Sequence, residues 1–200
     1  MSDTHATANP AGLIVMVFYL CALLPVLIGI APPSALIILV PLGLVGSIVQ
    51  FIAGAIELKR GDVVNGNVTL AFSAFMFYGA ISFMFKFLNV GPQDTSLVDG
   101  WVFLSMGIIL LGLIGLPMRA AFVPGLFFLI TVIFFGLMGF GNLLGMPVLT
   151  KAAGYIEIIA VISLVWIIVA TILNTAYGKE VVSLGPPWIK TAPVKEGVSA

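Results

Sequence analysis

Gln50, Glu57, Lys86, Asn142 and Glu157 stand in or at the ends of long apolar runs, where a polar or charged group needs partners within the protein or a path to line. On a helix, positions three and four apart share a face. Gly43, Ser47, Gln50, Gly54 and Glu57 therefore form one stripe. Small residues with one amide and one carboxylate suit two arrangements: close helix packing with Gln50 bonded to a neighbouring backbone, or the wall of a wet path. Tyr78, Ser82, Lys86 and Asn89 form a second stripe, with Lys86 near enough to a span end to snorkel to the headgroups. Glu157 lies about two turns into the last apolar run, at a depth comparable to that of Lys86. The two are expected to approach each other or jointly to ring an outer vestibule. That allows either an ion pair holding two helices or the handling of a proton or charged substrate. Asn142, just after the glycine-rich run 136–141, either caps a helix end or faces a path.

Around these groups there is no nucleophile–base pair, no His/Cys set at metal-ligand spacing and no phosphate-cradling glycine loop. Cys21 is the single cysteine and His5 the single histidine. An enzyme, a resident metal and a cofactor are therefore not expected. Formal net charge is +0, and Lys and Arg never cluster beyond a pair. A nucleic-acid footprint is excluded on that ground.

The elements that must position these residues follow from the charge map. Of the 200 residues, 61% are hydrophobic and 8% charged, against about 25% charged in an average soluble domain. The charges are clumped, leaving long runs without any, and runs of about 18 or more apolar residues are read as membrane-spanning helices. Six spans are expected, over residues 11–31, 35–57, 66–89, 99–117, 120–141 and 151–177. Pro32, Pro33 and Ser34 divide the first two, Lys59-Arg60-Gly61-Asp62 ends the second, Gly91-Pro92-Gln93-Asp94 follows the third, and Pro117-Met118-Arg119 makes the tightest turn. The first ten residues carry no Lys or Arg, so the first span is read as retained rather than as a cleaved signal.

The expectation is thus an all-α integral membrane protein. A leader over residues 1–10 precedes a six-helix domain over 11–177, and a solvated tail over 178–200 follows. With the N-terminus inside, Lys59, Arg60, Arg119, Lys179, Lys190 and Lys195 fall on the cytoplasmic side and only Lys86 and Lys151 outside. This fits the positive-inside rule and puts both termini in the cytoplasm.

The residues also carry a family resemblance. Asn9-Pro10-Ala11, running straight into the first span, resembles the opening motif of the acetate uptake transporter family, the succinate–acetate permeases. The second span, from Gly46 through Gln50, Ala53-Gly54 and Glu57 to Lys59-Arg60-Gly61, is similar to that family's Gly-Gly-x-x-Gln-x-x-Ala-Gly-x-x-Glu-x-(Lys/Arg)-(Lys/Arg)-Gly run. Ala74-Phe75-Met76-Phe77-Tyr78-Gly79 and Gly141-Asn142-Leu143-Leu144-Gly145 resemble two further family motifs in the right order. The likeness covers about residues 9–178. Gly12 replaces a second proline, 63–69 reads as an insertion or redrawn turn, Met76-Phe77 replaces Thr-Ser, and Glu157 stands at a neutral position. The chain resembles a divergent member.

The resemblance implies transport of acetate, with succinate and similar short carboxylates as further cargo, through each protomer of a hexameric ring in the plasma membrane. Proton symport and an anion channel are both open. It also implies an apolar constriction at Phe18, Tyr78 and Ile130, with Asn9, Gln50, Glu57 and Asn142 offered to substrate and Lys86 and Glu157 to a proton or charge. Stripping water from a carboxylate costs much unless donors replace it, so an apolar neck flanked by amides and hydroxyls would pass a small acid and exclude hydrated ions. Two rivals remain: a channel for a small neutral solute such as urea, and a non-transporting sensor or assembly subunit.

Overall fold

The computed structural model describes residues 6–190, so residues 1–5 of the leader and 191–200 of the tail lie outside it. Among the described residues there are helices and turns but no strand. The order is α1 (Asn9–Leu27), a 3₁₀ segment (Pro33–Ile38), α2 (Leu39–Lys59), α3 (Val63–Phe87), α4 (Ser96–Leu113), the short α5 (Gly115–Ala120), α6 (Phe122–Leu143) and α7 (Pro147–Tyr177). With α4 and α5 taken together, six helical segments are long and apolar enough to cross a membrane. The protein is a multi-pass membrane protein.

The boundaries follow local chemistry, with informative departures from expectation. Pro32 and Pro33 do break the first apolar stretch, but 33–38 winds as a 3₁₀ helix before α2 begins at Leu39. Pro117 does not end its span. It sits in the first turn of α5, where its missing N–H would be unpaired anyway, and the chain breaks instead at extended Ala121. The stretch 63–69 is not a turn but the first two turns of α3, started by Asp62, whose side chain accepts the Asn65 N–H at 3.0 Å. α7 begins four residues earlier than expected, at Pro147 as its first helical residue.

Lipid is as apolar as leucine, so helices here associate through packing and internal hydrogen bonds. Glycines set the closest approaches. A Cβ at Gly54 would lie 2.8 Å from Leu70 Cγ and 2.9 Å from the Gly66 carbonyl oxygen across the α2–α3 seam. Between α4 and α6, a Cβ at Gly100 would lie 2.7 Å from Leu143 Cγ and 3.0 Å from the Gly139 carbonyl oxygen. α7 bridges the two halves by packing on both α1 and α6.

The segment after α7 is not simply solvated. Asn174 Oδ1 accepts the Val181 and Val182 N–H groups at 2.6 and 2.9 Å, turning the chain back on the bundle. Leu184 then accepts the Val123 N–H at 3.0 Å, supplying one orphan donor at the start of α6. The Trp188 indole donates to the Phe122 carbonyl at 2.8 Å and stacks on the Phe122 ring. The tail thereby closes the end of the bundle where α6 begins. On this packing, Gly54→Val should lower the melting temperature of the detergent-purified protein, since overpacking a tight seam costs about 1–3 kcal/mol. An unchanged melting temperature would show that the seam can relax.

Candidate functional site

Two groups of polar residues separate in space, and only one belongs to a cavity. The first lies in the α1–α2 seam. Glu57 is buried, and its Oε1 accepts the Thr7 hydroxyl at 2.7 Å, the Ala8 N–H at 2.7 Å and the Asn9 N–H at 3.1 Å. Arg60 closes the other side at 3.4 Å. This is an α1 N-cap supplied by α2: a carboxylate takes the orphan amides at the positive end of a helix dipole. Two turns back along α2, the buried Gln50 Nε2 donates to the Gly12 carbonyl at 3.1 Å. That close approach suits the absence of a side chain at residue 12, where a Cβ would already lie 3.3 Å from Thr69 Cγ2.

The second group lines a cavity of about 300 Å³ enclosed by α1, α3, α4, α6 and α7. Its deep wall is apolar: Met16, Phe72, Phe75, Phe103, Phe127 and Phe135. Phe75 forms the hub of an aromatic cluster, with ring centroids 5.1 Å from both Phe103 and Phe135 in edge-on geometry. Towards the end where α3 finishes and α4 begins, the lining turns polar through Tyr78, Ser82, Lys86, Asp99, Asn142 and Glu157. Lys86 Nζ donates to Asp99 Oδ2 at 2.9 Å, Thr95 to the same oxygen at 2.6 Å, and the Tyr78 hydroxyl to Oδ1 at 2.6 Å. Glu157 is only 1% exposed, and among the described residues neither of its carboxyl oxygens has a hydrogen-bond partner. Asn142 lines the cavity while its Nδ2 donates to the Met138 carbonyl one turn back at 2.7 Å; the helix itself is capped at Leu144, with Gly145 in the left-handed conformation after it.

The family model described as GPR1/FUN34/yaaH matches residues 1–182. The chain belongs to the GPR1/FUN34/yaaH family. It is 28% identical over 187 residues to the succinate-acetate/proton symporter SatP of Escherichia coli K12, spanning 89% of this chain and 95% of that one. The SatP of Shigella flexneri matches to the same extent. The fold resembles the solved structure of the bacterial acetate channel SatP, with a TM-score of 0.83 at 21% identity, over 90% of this chain and 99% of that one.

Several sequence expectations need correction for this member of the GPR1/FUN34/yaaH family. Phe18 is 58% exposed and points out of the bundle. The inward stripe of α1 runs Gly12, Met16, Tyr19, Leu23, and one residue of offset turns a helical side chain by about 100°. Tyr19, not Phe18, lines the cavity. Ile130 packs at the edge of the core while Thr131, its neighbour, faces the cavity. Of the expected constriction, Tyr78 alone lines the space. Asn9, Gln50 and Glu57 are not in the cavity lining: Asn9 offers its backbone N–H to Glu57 and the other two hold α1 to α2. Lys86 pairs with Asp99 rather than Glu157, although both Lys86 and Glu157 line the same cavity.

Asp99 and Thr95 carry no expectation from the sequence, where Asp99 reads only as the start of a charge-free run. The signal was nonetheless present: Lys86 ends one span, Asp99 begins the next, and the connection between them is short. Since Glu57 takes the Ala8 N–H, and the Asn9 N–H whose other acceptor is the Thr7 hydroxyl at 3.3 Å, Glu57→Ala should destabilise the protein by about 3 kcal/mol, with Glu57→Gln intermediate. Thermal unfolding in detergent measures both, and equal stability of all three proteins would remove Glu57 as the cap.

Proposed function

We propose that this protein carries acetate, with succinate and similar short carboxylates as further cargo, across the plasma membrane. The observation that carries this reading is the cavity itself: apolar and aromatic in its depth, with Lys86 and the Tyr78 hydroxyl at its polar end, within a chain of the GPR1/FUN34/yaaH family. A small carboxylate needs donors where it leaves water and an apolar passage that rejects hydrated ions. The relatives named for acetate and succinate support the cargo class.

Orientation, coupling and assembly belong to the same proposal. The distribution of Lys and Arg favours both termini in the cytoplasm, so the polar end of the cavity faces outward. Glu157 is the residue assigned to proton handling, because an ionised carboxylate buried without donors is costly even at the polar end of the cavity. A proton taken up with each carboxylate cancels the charge moved and makes the mode symport rather than channel conduction. The assembly is a homo-hexamer, as the family resemblance implies, and the mass of the purified oligomer in detergent measures it.

The test is labelled-acetate uptake into liposomes carrying the purified protein, with a pH-reporting dye inside. Uptake above empty liposomes, competed by unlabelled acetate and succinate and accompanied by internal acidification, is expected. Glu157→Gln should retain acetate movement while reducing the acidification per acetate by more than about tenfold, and Tyr78→Phe, which removes a donor from the polar end of the cavity, should reduce acetate uptake. No uptake over the passive leak by correctly inserted protein would overturn the carboxylate reading and make urea the next solute to test. Full acidification by Glu157→Gln would remove Glu157 from proton coupling.

A further inference from the structure

We propose that Asp99 is a tethered occupant of a carboxylate-binding site, and that free acetate competes with it for the Lys86 and Tyr78 donors at the polar end of the cavity. The inference rests on the carboxylate cargo proposed above and adds where that cargo first binds and what sets its affinity. Its basis is the completeness of the cradle. Three donors from α3 and the start of α4 converge on one carboxylate: Lys86 Nζ and the Thr95 hydroxyl on Oδ2, at 2.9 and 2.6 Å, and the Tyr78 hydroxyl on Oδ1 at 2.6 Å. Charge-assisted hydrogen bonds of this kind are the strong ones, and both oxygens receive at least one. A clasp between two helices would need only the Lys86 pair.

Chemistry points the same way. Beyond its Cα, an aspartate side chain is a methylene bearing a carboxylate, which is acetate attached through its methyl carbon. A cradle that fits Asp99 fits acetate. Tyr78, Lys86 and Asp99 all line the cavity, and the side chains remain 33% exposed at Lys86 and 12% at Asp99, so an anion arriving from the polar end meets this ammonium group. Asp99 can yield without moving its helix. The backbone beside it is fixed by Gly100 against Gly139, whereas its carboxylate turns about two side-chain bonds. When acetate takes Lys86 and Tyr78, Asp99 retains Thr95 one helical turn behind it, and return of the tethered carboxylate expels the free one. Asp99 thereby trades affinity for release, as a site that must be vacated at every cycle requires.

The experiment measures acetate binding to the full-length purified protein in detergent by titration calorimetry, with sodium chloride as control, for the wild type, Asp99→Ala and the Asp99→Ala/Lys86→Ala pair. Removing the tethered competitor should tighten acetate binding about tenfold, the equivalent of one charge-assisted hydrogen bond freed for the ligand. The gain should vanish in the double variant, and chloride should not reproduce it. Asp99→Asn, which keeps the side-chain volume and gives up the charge, should show a smaller gain in the same direction and serves where Asp99→Ala does not fold. Unchanged or weaker acetate binding in either single variant, or an equal response to chloride, overturns the proposal and leaves Asp99 as a helix clasp. Uptake by the wild type separates this from the cargo reading. A wild type that moves acetate while Asp99→Ala gains no affinity removes only the tethered competitor. A variant that gains acetate affinity in a protein that moves none removes only the transport of acetate.

Discussion

A helix that starts at a membrane surface presents amide groups that lipid cannot satisfy, and in this protein the first helix depends on a carboxylate from the second to satisfy them. Glu57 fixes where α1 begins, and Gln50, two turns away, fixes its rotation by holding the Gly12 carbonyl. Everything on the inner face of α1 follows from that pair of contacts, including the placement of Met16, Tyr19 and Leu23 against the cavity. The Asn-Pro-Ala opening and the Gln…Ala-Gly…Glu run are thus two halves of one contact. They are distant in sequence because one supplies the helix start and the other its cap.

With α1 fixed in this way, the polar groups of the bundle divide by their partners. In the α1–α2 seam, Glu57 and the Gln50 amide nitrogen are taken up by contacts that hold α1 to α2, while Gln50 Oε1 has no hydrogen-bond partner among the described residues. Those at the polar end of the cavity are partnered unequally: Lys86 is partly exposed, Asp99 is held by three donors, and Glu157 is left without any among the described residues. Burial alone does not distinguish the two carboxylates, since Glu57 and Glu157 are both almost fully enclosed. What distinguishes them is whether a donor is aimed at the oxygens. A carboxylate met by donors holds one helix to another; one buried without donors carries an uncompensated desolvation cost.

The tail contributes a second closure. Trp188 and Leu184 cover the start of α6, where the break at Ala121 leaves orphan amides. A segment that composition reads as solvated therefore completes a helix end, by the same requirement that Glu57 meets at α1.

The sequence by itself determined that the chain crosses a membrane six times, because the length and spacing of charge-free runs are set by bilayer thickness and need no tertiary information. It also determined the family, through motifs whose order survives divergence. Tertiary structure alone decided which residues face the cavity. A helix turns about 100° per residue, so an uncertainty of one position in rotation exchanges Phe18 for Tyr19 and Ile130 for Thr131, and no uniformly apolar helix carries a periodic signal strong enough to settle it. It also decided the partner of Lys86. Depth in the membrane made Glu157 a candidate, but an ion pair is set by distance in three dimensions, and the short connection from α3 to α4 brings Asp99 to 2.9 Å first.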